Sequence, residues 1–253
     1  MLYIINFIII ICYRYRYNRV GCDLLPIRIM TKTESSLLYR NVSHSWLCDG
    51  KLLRLHDPTD ANNINIFQDQ WKRGQPVIVS GAGQLLKQDL WRPYSFSKDF
   101  GDIKNDLINC LTGNIVPNQI MRKFWDGFEN YNKRLKDDKG NPMILKLKDW
   151  PPGDDFAEFL PKRFKDLMEK LPMSDYTRRD GCLNLASRLP ECFVKPDLGP
   201  KMYIAYGSAL FPNKASTNLH LDISDAVNVM CYSGVPKDGS TEEDVKGKTM
   251  FLV

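Results

Sequence analysis

The sequence predicts an α+β fold. Two observations lead there: segments with helical spacing of apolar residues fill the first two thirds among a few short strands, and the last third turns into a run of alternating, turn-bounded strands. A third observation concerns chemistry. His220 and Asp222, in the stretch from Thr217 to Asp222, form a His-x-Asp pair on one face of an expected strand. Side chains two apart on a strand project the same way, about 7 Å apart, near enough to share one ion.

The elements follow in order. From Ser43, His44 to Gly50 reads as a short strand and turn, and Asn62 to Arg73 carries Ile66, Phe67 and Trp71 at helical spacing. Residues 74–81 read as a buried strand bounded by Gly and Pro. Pro117 to Leu135 places Ile120, Phe124, Phe128 and Tyr131 on one helical face, with Pro117 opening the helix. Met143 to Trp150 alternates as a half-buried strand and stops at Pro151-Pro152-Gly153. Asp154 and Asp155 then cap a helix carrying Phe156, Phe159, Phe164 and Leu167, interrupted by Pro161. The expected C-terminal strands are Leu183 to Leu189, Lys201 to Tyr206, Asn218 to Ile223 and Ala226 to Tyr232.

The bulk numbers exclude several classes. The net charge of +5 sits mostly at the N-terminus, where Arg14, Arg16, Arg19, Arg28 and Lys32 face Asp23, so the remainder is close to neutral. It carries no basic footprint for sequence-specific nucleic-acid binding. The seven cysteines are scattered, without the paired Cys-x-x-Cys spacing of a zinc or redox site, and fit a reducing compartment. Gly247-Lys248-Thr249 resembles the end of a phosphate-binding loop, but Glu242 stands where that motif needs glycine.

The apolar run from Met1 to Tyr13 is shorter than the roughly 20 residues that span a bilayer, and its arginines follow it instead of preceding it. A membrane-tethered protein is therefore only a third and weaker alternative, prompted by residues 1–19. Residues 1–42 are expected to be an unstructured or non-native extension, with coding that starts near Met30.

An isolated His-x-Asp pair also arises by chance as an ordinary polar pair, so the stretches around it decide its meaning. Ser45 to Gly50, Leu145 to Gly153, Leu183 to Pro190, Pro196 to Tyr203 and Thr217 to Asp222 resemble, in order, the JmjC region of the histone H3 lysine-nine demethylase subfamily, over about residues 43–245. The resemblance implies an incomplete double-stranded β-helix (jelly-roll, cupin-like) core with N-terminal helices, binding Fe(II) and 2-oxoglutarate. It implies oxidative demethylation of mono- and dimethyl-lysine on the histone H3 tail, in chromatin, in the nucleus. On that basis His220 and Asp222 match iron ligands. Thr217, Asn228 and Lys237 match cosubstrate contacts, and Tyr203 and Tyr206 are candidates for the methyl-lysine pocket. Each has a plainer alternative: Thr217 and Lys237 suit turns, Asn228 needs a partner in an apolar strand, and strand tyrosines pack in cores. His44 and His56 are read as structural.

Non-heme iron oxygenases take two histidines and a carboxylate. From Asp222 to Val253 there is no further histidine and room for only two or three strands of about five or six residues. The chain as written is thus expected to show little or no turnover. Residues 246–253 look unrelated to the family, as if read from an intron. The rival expectations are a non-catalytic JmjC fragment that binds chromatin partners, or a misfolded gene-model product.

Overall fold

A computed structural model describes the backbone of residues 4–12 and, in full, residues 28–194, 198–207 and 225–234. These form an α+β fold with two sheets and, among the described residues, eight α-helices. The smaller sheet comprises β2 (His44–Leu47), β3 (Leu52–Leu55) and β4 (Val77–Val79), with β3 antiparallel to β2 and parallel to β4. The larger sheet contains β1 (Ile4–Cys12), β5 (Lys104–Asn109), β6 (Ile115–Ile120), β7 (Leu145–Trp150), β8 (Lys201–Ala205) and β9 (Asp225–Tyr232). Its order is β6-β5-β7-β8-β1-β9, antiparallel throughout.

The folded unit begins ahead of Ser43, where the sequence placed its boundary. Helix α1 (Lys32–Leu38) starts with a capping box: the Thr31 hydroxyl accepts from Glu34 N, and the Glu34 carboxylate accepts from Thr31 N. Met30 and Ser35 are buried, and Trp46 Nε1 donates to Ser35 Oγ at 2.9 Å. Further upstream, β1 lies between β8 and β9. No helix among the described residues is long and apolar enough to cross a membrane.

Helix α2 (Asn63–Lys72) buries Ile66 and Phe67, as their spacing requires. The strand expected at residues 74–81 forms as β4, but it is half-buried, not buried. Pro117 opens no helix. It lies within β6, the edge of the larger sheet, where a residue without an N–H costs no ladder bond. The helix starts after it as α5 (Met121–Glu129), burying Phe124, Trp125 and Phe128. Leu183 to Leu189 is likewise no strand. Asn184 Oδ1 accepts from Ala186 N and folds Leu185–Arg188 into a 3-10 turn, with Ala186 buried.

Helices α3 (Gln88–Trp91), α4 (Pro93–Phe100), α5, α6 (Phe156–Phe159) and α7 (Pro161–Lys170) supply the core that covers one face of the larger sheet, and α8 (Ser174–Thr177) follows them. Phe96 and Trp125 stack at 4.7 Å, and Trp150 meets both edge-on. Two buried charged groups lock the helices together. Arg163 donates to Leu90 O (2.9 Å), Ser95 Oγ (2.7 Å) and Asp99 Oδ2 (2.8 Å). Asp166 Oδ2 accepts from Lys87 N and Trp91 Nε1, both at 2.9 Å. Arg163 is hydrogen-bonded on three sides, whereas Asp166 is held through Oδ2 alone and its buried Oδ1 has no partner; displacing either would strand a buried ion further.

Candidate active site on the open face of the sheet

Burial alternation assigns the two faces. On β8, Met202 and Ile204 are buried against the helices, so Lys201 and Tyr203 point to the opposite, open face. On β9, Val229 and Cys231 enter the same core, which places Asn228 and Met230 on the open face. Burial pushes the Cys231 thiol well above its ordinary pKa, with Asp166 adding to the effect, so it is a neutral core residue.

Register relates the open-face residues. Through β1, Lys201 shares a row with Asn228, and Tyr203 shares the next with Met230. Two strand spacings separate Lys201 from Asn228, about 10 Å between backbones. Lys201 Nζ donates to Pro151 O at 3.3 Å.

Strand β7 departs from the strict alternation its sequence suggests. Between the pairs Leu147–Ile204 and Trp150–Met202 it holds one residue more than β8. Asp149 absorbs the extra residue with φ 51°. The bulge returns Trp150 to the core and leaves Lys148 and Asp149 both exposed. Tyr203 Oη donates to Asp149 Oδ1. A cavity of about 370 Å³ lined by Lys104, Asn105, Asp106, Leu147, Lys148, Trp150 and Pro152 flanks this bulge. A larger one, about 460 Å³, opens between α3 and α7 on the helical side, away from these residues.

The two candidate tyrosines part company. Tyr206 is completely buried, its hydroxyl donating to Phe124 O at 2.6 Å and its ring packed on Phe124 and Phe128, with the Arg134 guanidinium 4.2 Å above it. A methylammonium group has no access to it, so Tyr206 is a core residue and not a pocket wall. Tyr203 and Asn228 do share the open face. Thr217, His220, Asp222 and Lys237 lie outside the described residues, as do the strand expected at Asn218 to Ile223 and the tail at 246–253.

His44 and His56 are held in the smaller sheet. His44 Nδ1 lies 2.8 Å from Val42 O and Nε2 3.0 Å from Ser35 Oγ, while His56 sits between Ser43 Oγ (3.3 Å) and Ser45 Oγ (2.8 Å). Among the described residues, no group of three His, Cys, Asp or Glu side chains is arranged to hold a metal. Lys201 and Asp149 are the open-face residues that reading the sequence missed. Alternation along β8 pairs Lys201 with Tyr203 and was available as a signal, whereas nothing in the sequence marks the bulge at Asp149.

No protein-family model matches the chain. Its sequence is 62% identical over 217 residues to lysine-specific demethylase 3 of Drosophila melanogaster, covering 86% of this chain and 25% of that protein. It is 53% identical over 235 residues to human lysine-specific demethylase 3A, covering 92% of this chain and 18% of the relative. A third relative, human "Probable JmjC domain-containing histone demethylation protein 2C", is 44% identical over 206 residues, covering 81% of this chain and 8% of its own length. This chain belongs to the JmjC lysine-specific demethylase family. It spans a quarter or less of these curated relatives. Their names agree with the resemblance carried by the five ordered stretches.

Proposed function

We propose that this chain is part of the catalytic region of an Fe(II)- and 2-oxoglutarate-dependent demethylase acting on methylated lysine of the histone H3 tail, in chromatin and in the nucleus. The observation that carries the reading is the open sheet face. A family relationship at up to 62% identity coincides with an unburied face on which Tyr203 and Asn228, two of the expected site residues, lie within one step of each other's rows. In this reading the larger sheet is one wall of a double-stranded β-helix.

The donor chemistry fits the group. His220 and Asp222 are an imidazole and a carboxylate, the ligand types that ferrous iron takes in this class. They would hold iron, with Thr217, Asn228 and Lys237 holding 2-oxoglutarate; Lys237 would pair with its distal carboxylate. Iron and 2-oxoglutarate, if bound there, would let dioxygen serve as the oxidant: one oxygen atom would go to the 2-oxoglutarate as it loses CO2, the other to the N-methyl group, whose hemiaminal then releases formaldehyde. The chain's own residues orient the partners. Tyr203 offers a ring face and a hydroxyl to a methylammonium, and Asn228 offers an amide toward the cosubstrate.

The test is Fe(II)-dependent binding of 2-oxoglutarate under anaerobic conditions. One histidine and one carboxylate make a weak site, so the expected pattern is weak binding, strengthened by added imidazole, and lost by tenfold or more in His220→Ala and Asp222→Ala. Formaldehyde release from a dimethyl-lysine H3 peptide is expected to be negligible without imidazole. Iron-independent cosubstrate binding, or binding indifferent to both substitutions, would refute the assignment. A second reading, a non-catalytic module that binds chromatin partners, is favoured by the commitment of His44 and His56 to hydrogen bonds of the smaller sheet. It predicts peptide binding that does not respond to iron.

A further inference from the structure

We propose that Asp149 is a specificity-determining residue of the methyl-lysine site: its carboxylate holds the Tyr203 phenol over the open face and accepts the N–H that mono- and dimethyl-lysine carry and trimethyl-lysine lacks. The inference rests on the demethylase reading above.

Three observations support it. First, Asp149 occupies the left-handed region, φ 51°, at the one-residue bulge of β7. Uninterrupted alternation from the buried Leu147 would turn Asp149 toward the core and Trp150 out. The extra residue reverses that, which is how bulges re-aim side chains at functional sites. Second, the side chain so redirected meets Tyr203, the candidate pocket tyrosine that is on the open face. The bond runs from Tyr203 Oη to Asp149 Oδ1, leaving Oδ2 as an acceptor.

Third, the charge is distinctive. Register and alternation place Lys146 and Lys148 of β7 and Lys201 of β8 on the same face, so Asp149 is an acid set among basic side chains. Asp106, the other acid nearby, lies on β5, which β7 separates from Tyr203 on β8, and its Oδ1 accepts from Asn118 N at 2.8 Å. Asp149 makes no ion pair with any described residue and therefore has a charge to offer.

The chemistry follows. A dimethylammonium is a cation with one N–H, and a carboxylate beside an aromatic face satisfies both features through a charge-assisted hydrogen bond and a cation–π contact. A trimethylammonium keeps the charge and loses the donor. The Asp149 carboxylate would then face a methyl group where it had accepted a hydrogen bond, so the site discriminates by methylation state.

The experiment uses the full 253-residue chain and short N-terminal histone H3 peptides mono-, di- or trimethylated at lysine nine, with affinities measured by calorimetry. The unsubstituted chain is expected to bind the dimethyl peptide more tightly than the trimethyl one. Asp149→Asn should weaken dimethyl binding about tenfold, weaken trimethyl binding less, and erase the preference. Tyr203→Phe, which keeps the ring and the free carboxylate, should weaken all forms together and preserve the preference; it also serves as the second variant if Asp149→Asn folds poorly. A retained preference in Asp149→Asn, or a preference erased by Tyr203→Phe, would overturn the role of Asp149 and leave the demethylase reading standing. Failure of the unsubstituted chain to bind any of the peptides would overturn both.

Discussion

Gly127 sits inside α5 against Tyr206, and its replacement by alanine separates local propensity from tertiary packing. Propensity alone predicts that Gly127→Ala stabilises the helix by about 1 kcal/mol. The structure predicts the opposite. A Cβ at Gly127 would fall well inside van der Waals contact of Tyr206 Oη, 3.0 Å from its Cζ and 3.1 Å from Arg134 Cγ. Neither neighbour can yield easily, because Tyr206 is fully buried between Phe124 and Phe128, and Arg134 Nε donates to Gly127 O at 3.1 Å. Overpacking of this kind costs about 1–3 kcal/mol, and pulling the hydroxyl off Phe124 O costs about 1–3 more. Set against the helix gain, the net loss is about 1–5 kcal/mol; its centre near 3 corresponds to a fall of about 6–12 °C in the unfolding midpoint for a domain of this size.

Urea denaturation of Gly127→Ala, Tyr206→Phe and the double variant provides the assay. Removing Oη relieves the worst contact, so the double variant should be more stable than the sum of the single losses by about 1 kcal/mol or more. A Gly127→Ala chain as stable as the parent, or strict additivity in the double variant, would show that Tyr206 does not pack on α5 as described.

Two further outcomes are expected. At Gly83 a Cβ would overlap the backbone carbonyl of Met230 on β9, so Gly83→Ala must push that strand away; a loss of about 2 kcal/mol in urea denaturation and weaker 2-oxoglutarate binding through the displaced Asn228 should follow. Tyr39 has its pKa raised to about 12, first by burial and then by its hydrogen bond to Asp69. Its folded state favours the neutral phenol, so this contribution is complete below the unfolded value near 10 and is lost as pH rises through 12. After discount for partial exposure it amounts to about 1 kcal/mol. Denaturation across that range should show the decline, and Tyr39→Phe should flatten it.

Parts of the candidate site were legible because their signals are local. His220-x-Asp222 and the five ordered stretches are contiguous in sequence, and the family they indicated is the one the comparisons found. Helices α2 and α7 and strands β7, β8 and β9 follow from apolar spacing. The failures share a cause. Pro117 reads as a helix opener until the edge position of β6 is known, and Leu183 to Leu189 reads as a strand until Asn184 folds back on Ala186. Edge position depends on strands distant in sequence, and a side-chain cap competes with pairing in a way that composition does not rank.

The tyrosines draw the line most clearly. The sequence offered Tyr203 and Tyr206 alike, as pocket residues or as core tyrosines of a strand. Which one is buried depends on where α5 packs and on the absence of a side chain at Gly127, both tertiary facts. The pairing of Tyr203 with Asp149 depends on a bulge that adds one residue to β7 relative to β8, strands separated by about fifty residues of chain. Sequence thus determined the family and the main periodicities, and it supplied the residues of the proposed site. Tertiary structure decided which of those side chains share a face, because register and burial arise only when distant segments meet.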